Sequence, residues 1–275
     1  MGVYLNPVNK NFIESIRSEI YIDKSGLIVM TNAAINTKQK YMCVSRPRRF
    51  GKSMAADMLA AYYTCGEDTD ALFKDLKISQ DASYRTHLNR YDVIKLNMQG
   101  FLSGTDSVEA MLQKLKRYLT IELTSRYADV RYLDTDDFVQ VMQDVFAATE
   151  RPFVILIDEW DCLFREYSGD TQAQRRYLDF LRAWLKDQPY VGLAYMTGIL
   201  PIKKYGTHSA LNMFLEYSMS DPGGLAAYFG FTQGEVQGLC ERYAMSFEET
   251  RAWYDGYAFK VYQDGAEETL SMYSP

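Results

Sequence analysis

One junction limits the fold of this chain more than anything else in it. Tyr41-Met42-Cys43-Val44-Ser45 is a short apolar run that reads as a buried strand. It breaks into Arg46-Pro47-Arg48-Arg49-Phe50-Gly51, where Pro47 and Gly51 prevent regular structure. From Lys52 to Tyr63 apolar residues return at helical spacing, with Met54, Met58, Leu59 and Tyr62 on one side. A strand, a basic loop and a helix opening on Gly-Lys-Ser form the context in which backbone cradles phosphate. A helix N-terminus presents unpaired N–H groups and partial positive charge to an anion. Gly51 lets the backbone approach phosphate oxygens without a Cβ. Lys52 reaches the terminal phosphates as a point charge, and the Ser53 hydroxyl is placed to ligate Mg²⁺. Arg48 and Arg49 add cationic donors, and Pro47 preorganises the loop. The expected nucleotide-binding stretch is Pro47, Arg48, Arg49, Phe50, Gly51, Lys52, Ser53 and Met54. Arg46 stands where the pattern G-x-x-x-x-G-K-[ST] has its first Gly. A solvated basic turn capping a helix is the alternative reading.

The second half of such a site is a carboxylate at the end of a buried strand. Phe153-Val154-Ile155-Leu156-Ile157-Asp158 is the clearest buried strand in the chain, and it delivers Asp158 and Glu159 to its end. Asp158 would orient Mg²⁺, and Glu159 would polarise the attacking water. The alternative is a capped strand end whose acids pair with surface bases. Asp161 reads as a cap or an ion-pair partner of the following helix. A catalytic acid beside the metal Asp goes with an extra strand between the loop strand and the acidic strand. Tyr190 to Gly198 is the natural occupant. Thr197 would then lie near the γ-phosphate as a sensor of hydrolysis, or it is a plain strand terminus before Gly198. Lys203, Lys204 and Asn212 follow in a loop, as phosphate contacts or as solvated residues.

Elsewhere, Asp92 to Asn97 reads as a strand and Ile20-Tyr21-Ile22 as a short strand or edge segment. Lys24 to Thr37, Val108 to Tyr127, Thr135 to Ala148 and Gln172 to Lys186 read as helices or helical turns. Tyr177, Phe180, Leu181 and Trp184 mark the inner side of the last of these. Strands alternating with helices predict an α/β fold with a mostly parallel sheet between helices. Beyond Ser220 short helical stretches dominate: Leu225 to Phe229, Gln233 to Tyr243 and Phe247 to Tyr254. The expected division is a core over 1–220 and a small helical, winged-helix-like subdomain over 221–275.

Composition excludes several classes. A net charge of -6 argues against a generic DNA-coating protein, although local basic clusters are compatible with it. Cys43, Cys65, Cys162 and Cys240 are far apart without a C-x-x-C pair, and His87 and His208 add few soft ligands. A zinc site is not expected, and a reducing cytoplasmic setting is. No apolar run approaches the roughly 20 residues of a membrane helix, so no membrane partner is expected.

These residues together resemble the AAA-ATPase-like family. The resemblance is carried by Tyr21-Ile22-Asp23-Lys24-Ser25-Gly26-Leu27-Ile28 and by Ser45-Arg46-Pro47-Arg48-Arg49-Phe50-Gly51-Lys52-Ser53. It continues through Val93 to Leu96, Leu156-Ile157-Asp158-Glu159-Trp160-Asp161, Thr197-Gly198-Ile199 and Trp253-Tyr254-Asp255-Gly256-Tyr257. In this family the missing first Gly is the rule. The resemblance implies a P-loop NTPase core of the additional-strand, RecA-like type, with a Walker A loop and a Walker B acid pair. It implies ATP and Mg²⁺ as cofactors. It gives Lys52 and Ser53 the phosphate and metal roles, Asp158 the metal role and Glu159 that of catalytic base. Bacterial members often carry a C-terminal PD-(D/E)XK nuclease-like domain. The one matching tripeptide here, Asp75-Leu76-Lys77, lacks a strand context, so that domain is expected to be absent from this chain.

Three functions follow as expectations. One is a Mg²⁺-dependent ATPase that couples hydrolysis to movement. Another is a nucleotide-dependent switch with little turnover. The last is the motor part of a nuclease or DNA-handling protein, with nucleic acid left open as a partner. An oligomer is also open: Arg165, Arg175, Arg176 and Arg182 are candidates for an arginine finger.

Overall fold

The computed structural model describes residues 2–202, 211–263 and 266–274. The expected apolar runs become parallel strands: β1 Tyr41–Ser45, β2 Asp92–Asn97, β3 Phe153–Asp158 and β4 Val191–Gly198. A short β5, Leu215–Tyr217, joins them in a five-stranded sheet of order β2-β3-β4-β1-β5 with every pairing parallel. β4 therefore lies between β1 and β3, as the additional-strand reading requires.

Alternation along the strands divides the core. Met42, Val44, Val154, Leu156, Leu193 and Tyr195 pack on one face with helices α1 (Lys10–Ile16), α2 (Gly26–Ala34) and α3 (Lys52–Tyr63). Cys43, Ile155, Ile157, Ala194 and Met196 face the Val108–Arg126, Phe138–Thr149 and Thr171–Leu185 helices. Each of these three helices starts on a side-chain cap, from Ser107, Asp137 and Asp170. Both faces are thus covered, which explains why the strands are almost continuously apolar. Tyr177, Phe180, Leu181 and Trp184 are buried as expected. Met54 departs from its expected place on the inner side of α3: it is 43% exposed and borders a pocket.

Ile20-Tyr21-Ile22 is not a strand. It runs beside α3 with no ladder partner among the described residues, and the Tyr21 ring meets Phe12 edge-on at 6.5 Å.

The C-terminal segment contains the expected Gln233–Arg242 and Phe247–Tyr254 helices, the first opened by a Thr232/Glu235 capping box. Before and after them run strands that the sequence reading does not assign: β6 Phe231–Thr232 precedes the first helix, and β7 Asp255–Gln263 and β8 Ala266–Tyr273 follow the second. They form an antiparallel sheet of order β6-β8-β7, so this smaller unit has mixed β/α character in place of a helical one. Lys24 ties it to the core. Its ammonium pairs with Glu235 at 2.6 Å and donates to the Ala227 carbonyl at 2.7 Å.

Candidate functional site

Parallel register brings four strand ends to one edge. Ser45 lies opposite Gly198, Val44 opposite Thr197, and Asp158 opposite Asn97. The loop from Arg46 to Gly51 leaves this edge and enters α3. Gly51 caps the helix at φ +81°, and the space a Cβ would occupy is open. Arg49 also holds a left-handed φ of +70°, which costs a non-glycine residue energy and marks a constrained turn.

Lys52 folds back under the loop. Its ammonium donates to the carbonyls of Arg46 at 2.9 Å and Pro47 at 2.8 Å, and the residue is buried. Burial lowers its pKa, and the nearby Asp158, Glu159 and Asp161 charges oppose that shift.

The acidic strand end meets the loop directly. Ser53 Oγ donates to Asp158 Oδ2 at 2.5 Å, joining the first turn of α3 to the tip of β3. The other oxygen, Oδ1, accepts from the Glu159 backbone N–H at 3.0 Å and from the Thr197 hydroxyl. Thr197 is fully buried on β4, and its carbonyl accepts the Trp160 N–H at 3.1 Å. Asp158 is thus fixed by donors from three segments. Glu159 turns out of the strand at φ +56°, and its carboxylate pairs with the Arg165 guanidinium.

Asp161 is structural as the expected ion-pair partner of the following helix; it stands at that helix's N-cap position, but its side chain makes no cap hydrogen bond. It is fully buried, and Oδ2 accepts the N–H groups of Ile199 at 3.0 Å and Leu200 at 2.8 Å. The same oxygen lies 3.6 Å from Arg165 Nε.

The oxygen donors Ser53 and Asp158 fit a hard cation that takes few protein ligands and completes its shell with phosphate and water. Among the described residues no cluster of three or more His, Cys, Asp or Glu ligands occurs.

Two loop side chains turn away from the phosphate side. The Arg46 guanidinium is fully buried, donates to the carbonyls of Ser45 at 2.9 Å and Tyr217 at 2.7 Å, and lies 5.5 and 5.7 Å from the rings of Phe229 and Phe259. Burial pulls its pKa down to about 10. Phe50 meets Tyr257 edge-on at 5.5 Å, and its carbonyl accepts the Gly230 N–H at 3.2 Å. Arg46 and Phe50 anchor the loop to the C-terminal unit, a role the sequence reading did not assign.

Arg48 and Arg49 are exposed. Arg48 borders a cleft with Glu159 and Arg165, and Arg49 borders an apolar pocket beside Gly51. Tyr21, Met54, Met58, Tyr228 and Phe231 line that pocket. It adjoins the loop itself, since Arg49, Phe50 and Gly51 are part of its wall. Lys203 and Lys204 lie outside the described residues. Asn212 accepts from Lys186 at 3.3 Å. Arg176 pairs with Glu109 at 3.0 Å, and Arg175 and Arg182 are exposed on their helix.

A parallel sheet with an inserted strand, a glycine-turned loop on a helix N-terminus and a buried acid against the loop serine define a P-loop NTPase-like protein. The family described as "Predicted AAA-ATPase" matches residues 10–207, and the chain belongs to this AAA-ATPase-like family. That membership supports a general ATP-binding, NTPase-type function. The chain is also similar to an uncharacterized protein in the vnfD 5′ region of Azotobacter chroococcum mcd 1, 26% identical over 248 residues. The match covers 86% of this chain and 45% of that relative, so the chain spans less than half the relative's length. Among the described residues no helix is long and apolar enough to cross a membrane.

Proposed function

We propose that this chain is a Mg²⁺-dependent ATPase and that the cleft at the Ser53–Asp158 contact is its hydrolytic site. Supporting this most directly is the 2.5 Å approach of the Ser53 hydroxyl to the Asp158 carboxylate under the N-terminus of α3. In this reading the amides around Gly51 hold the β-phosphate, and the Lys52 ammonium exchanges its two carbonyl partners for β- and γ-oxygens. Ser53 and Asp158 would hold the cation, which would supply positive charge to the phosphates. Thr197 and the Glu159 amide keep the Asp158 carboxylate aimed at Ser53, and it is through that carboxylate that Thr197 would report the loss of the γ-phosphate. Glu159 takes a proton from water as its oxygen bonds to the γ-phosphorus and the bridging oxygen leaves with ADP. The base packs in the apolar pocket between Tyr21 and Tyr228. With the division placed at residue 220, the C-terminal unit is the part that would move, its contacts with Arg46 and Phe50 carrying the motion.

The test is phosphate release by the wild type beside Lys52→Ala and Glu159→Gln. The reading expects activity in the wild type and loss of at least two orders of magnitude in both variants. Equal release by all three proteins ends it. A second reading, a switch with little turnover, draws on the Glu159–Arg165 pair, which occupies the base. It expects tight ATP binding by the wild type with no release of phosphate.

A further inference from the structure

The pair between Glu159 and Arg165 places a strong cation on the one carboxylate that has to be free to accept a proton. Arg165 lies on the short Cys162–Glu166 helix, opened by the buried Asp161. Asp161 fixes where the guanidinium starts, since its Oδ2 is held by two backbone amides and lies 3.6 Å from Arg165 Nε. At its far end the guanidinium donates to Gln99 Oε1 at 3.4 Å as well as to Glu159. Nε itself is buried and makes no hydrogen bond among the described residues. The guanidinium therefore has unspent donor capacity, and its principal partner is the proposed base.

Position adds a second argument. The Glu159 and Arg165 side chains are 27% and 19% exposed and border one cleft with Arg48, Asn97 and Gln99. The charges of both residues act on the buried Lys52 ammonium. A γ-phosphate held by Lys52 would enter the same field, carrying more negative charge than a carboxylate and matching the planar fork of an arginine.

We propose that Arg165 is a latch on Glu159 that the terminal phosphate of a bound nucleoside triphosphate opens. With the site free of triphosphate, the guanidinium occupies the base. When the γ-phosphate arrives, the guanidinium moves to its oxygens and Glu159 is released to the water. No bond is made or broken in this step; one ion pair is exchanged for another. The proposal rests on the reading of Lys52 as the phosphate lysine and Glu159 as the base.

Binding of the β,γ-imido analogue of ATP and of ADP, each with Mg²⁺, tests it by calorimetry on the wild type, Arg165→Ala, Glu159→Gln and the double variant. Arg165→Ala is expected to weaken the analogue roughly tenfold while leaving ADP within about twofold. Glu159→Gln frees the guanidinium and tightens the analogue several-fold, and the double variant loses that gain. Unchanged ADP affinity also reports that Arg165→Ala has folded. Should it not fold, Arg165→Lys keeps the charge without the fork and is expected to lower the analogue-to-ADP ratio by a smaller factor. An analogue-to-ADP ratio equal to wild type in the folded Arg165 variant overturns the latch alone. Failure of the wild type to bind either nucleotide overturns the triphosphate reading and the latch with it.

Discussion

Arg46 Nη1 donates to the backbone carbonyl of Tyr217 at 2.7 Å, across 171 residues of sequence. The first position of the loop is therefore spent on β5 and the C-terminal rings, with no carboxylate within ion-pair distance among the described residues. Desolvation of this cation costs energy, as the fall of its pKa to about 10 indicates. Two charge-assisted hydrogen bonds and two aromatic faces offset that cost.

Arg46→Ala removes those offsets, leaves two carbonyls short of a donor and opens a cavity. The expected loss is about 2–4 kcal/mol in urea unfolding. Arg46→Met, which fills the space without a charge, is expected to cost less. Arg46→Gly restores the glycine of the common loop pattern and is expected to behave like the Ala variant, with faster proteolysis between β6 and β8. Unfolding at wild-type urea concentrations in the Ala variant would show that the anchor carries no stability.

Gly198 ends β4 where two buried groups approach it. A Cβ there would sit 2.7 Å from Trp160 Nε1 and 2.9 Å from Asp161 Oδ1. Both residues are fully buried, so neither has room to give. Gly198→Ala is expected to destabilise the fold by about 1–3 kcal/mol through overpacking, seen as a lower midpoint in thermal unfolding. It also displaces Asp161 from the Ile199 and Leu200 amides, so turnover should fall further than stability explains. A midpoint equal to wild type would refute the close approach.

Much of this architecture is legible in the sequence because the strands are short, apolar and bounded. Val154 to Ile157 is buried on both faces, so it reads as a strand without help from its neighbours. The meeting of Ser53 with Asp158 is legible for the same reason: both sit at ends of elements that parallel topology brings to one edge. The Arg46 anchor is not, since its partners Tyr217, Phe229 and Phe259 are set only by the tertiary fold. Nor is the Glu159–Arg165 pair, because a spacing of six residues meets on no regular helix. The left-handed turn at Glu159 brings them together. The hairpin of β7 and β8 had one usable signal, the Asp264-Gly265 dipeptide between two runs with aromatic and β-branched residues.

Lys52 makes nucleotide affinity depend on pH. Its ammonium is deprotonated more easily in the free protein than its ordinary value of 10.5 allows, because it is buried. A bound triphosphate favours the charged form, so binding takes up a proton once pH exceeds the free-protein pKa. Affinity is therefore flat at lower pH and falls as pH rises through that depressed pKa, by up to roughly one decade per unit. It levels off above the pKa of the complex. Titration calorimetry with the imido analogue in buffers of different ionisation heat measures the uptake. Lys52→Arg, which stays charged, is expected to bind more weakly and to lose the slope; a slope that persists in it assigns the proton elsewhere.

Thr197 separates a structural contact from a functional one. Its hydroxyl donates to Asp158 Oδ1, while Ser53 and the Glu159 amide hold the carboxylate independently. Thr197→Val keeps the buried shape and deletes one donor, so the expected stability loss is only about 1 kcal/mol. The carboxylate is then free to rotate about its remaining partners. A misaimed carboxylate weakens cation binding before it weakens the phosphate contacts of Lys52. The Mg²⁺ concentration for half-maximal ATP turnover is thus expected to rise several-fold, with ADP affinity measured without Mg²⁺ unchanged. If turnover falls while the Mg²⁺ dependence stays at its wild-type value, Thr197 acts on the γ-phosphate itself and the orienting role given to it here is wrong.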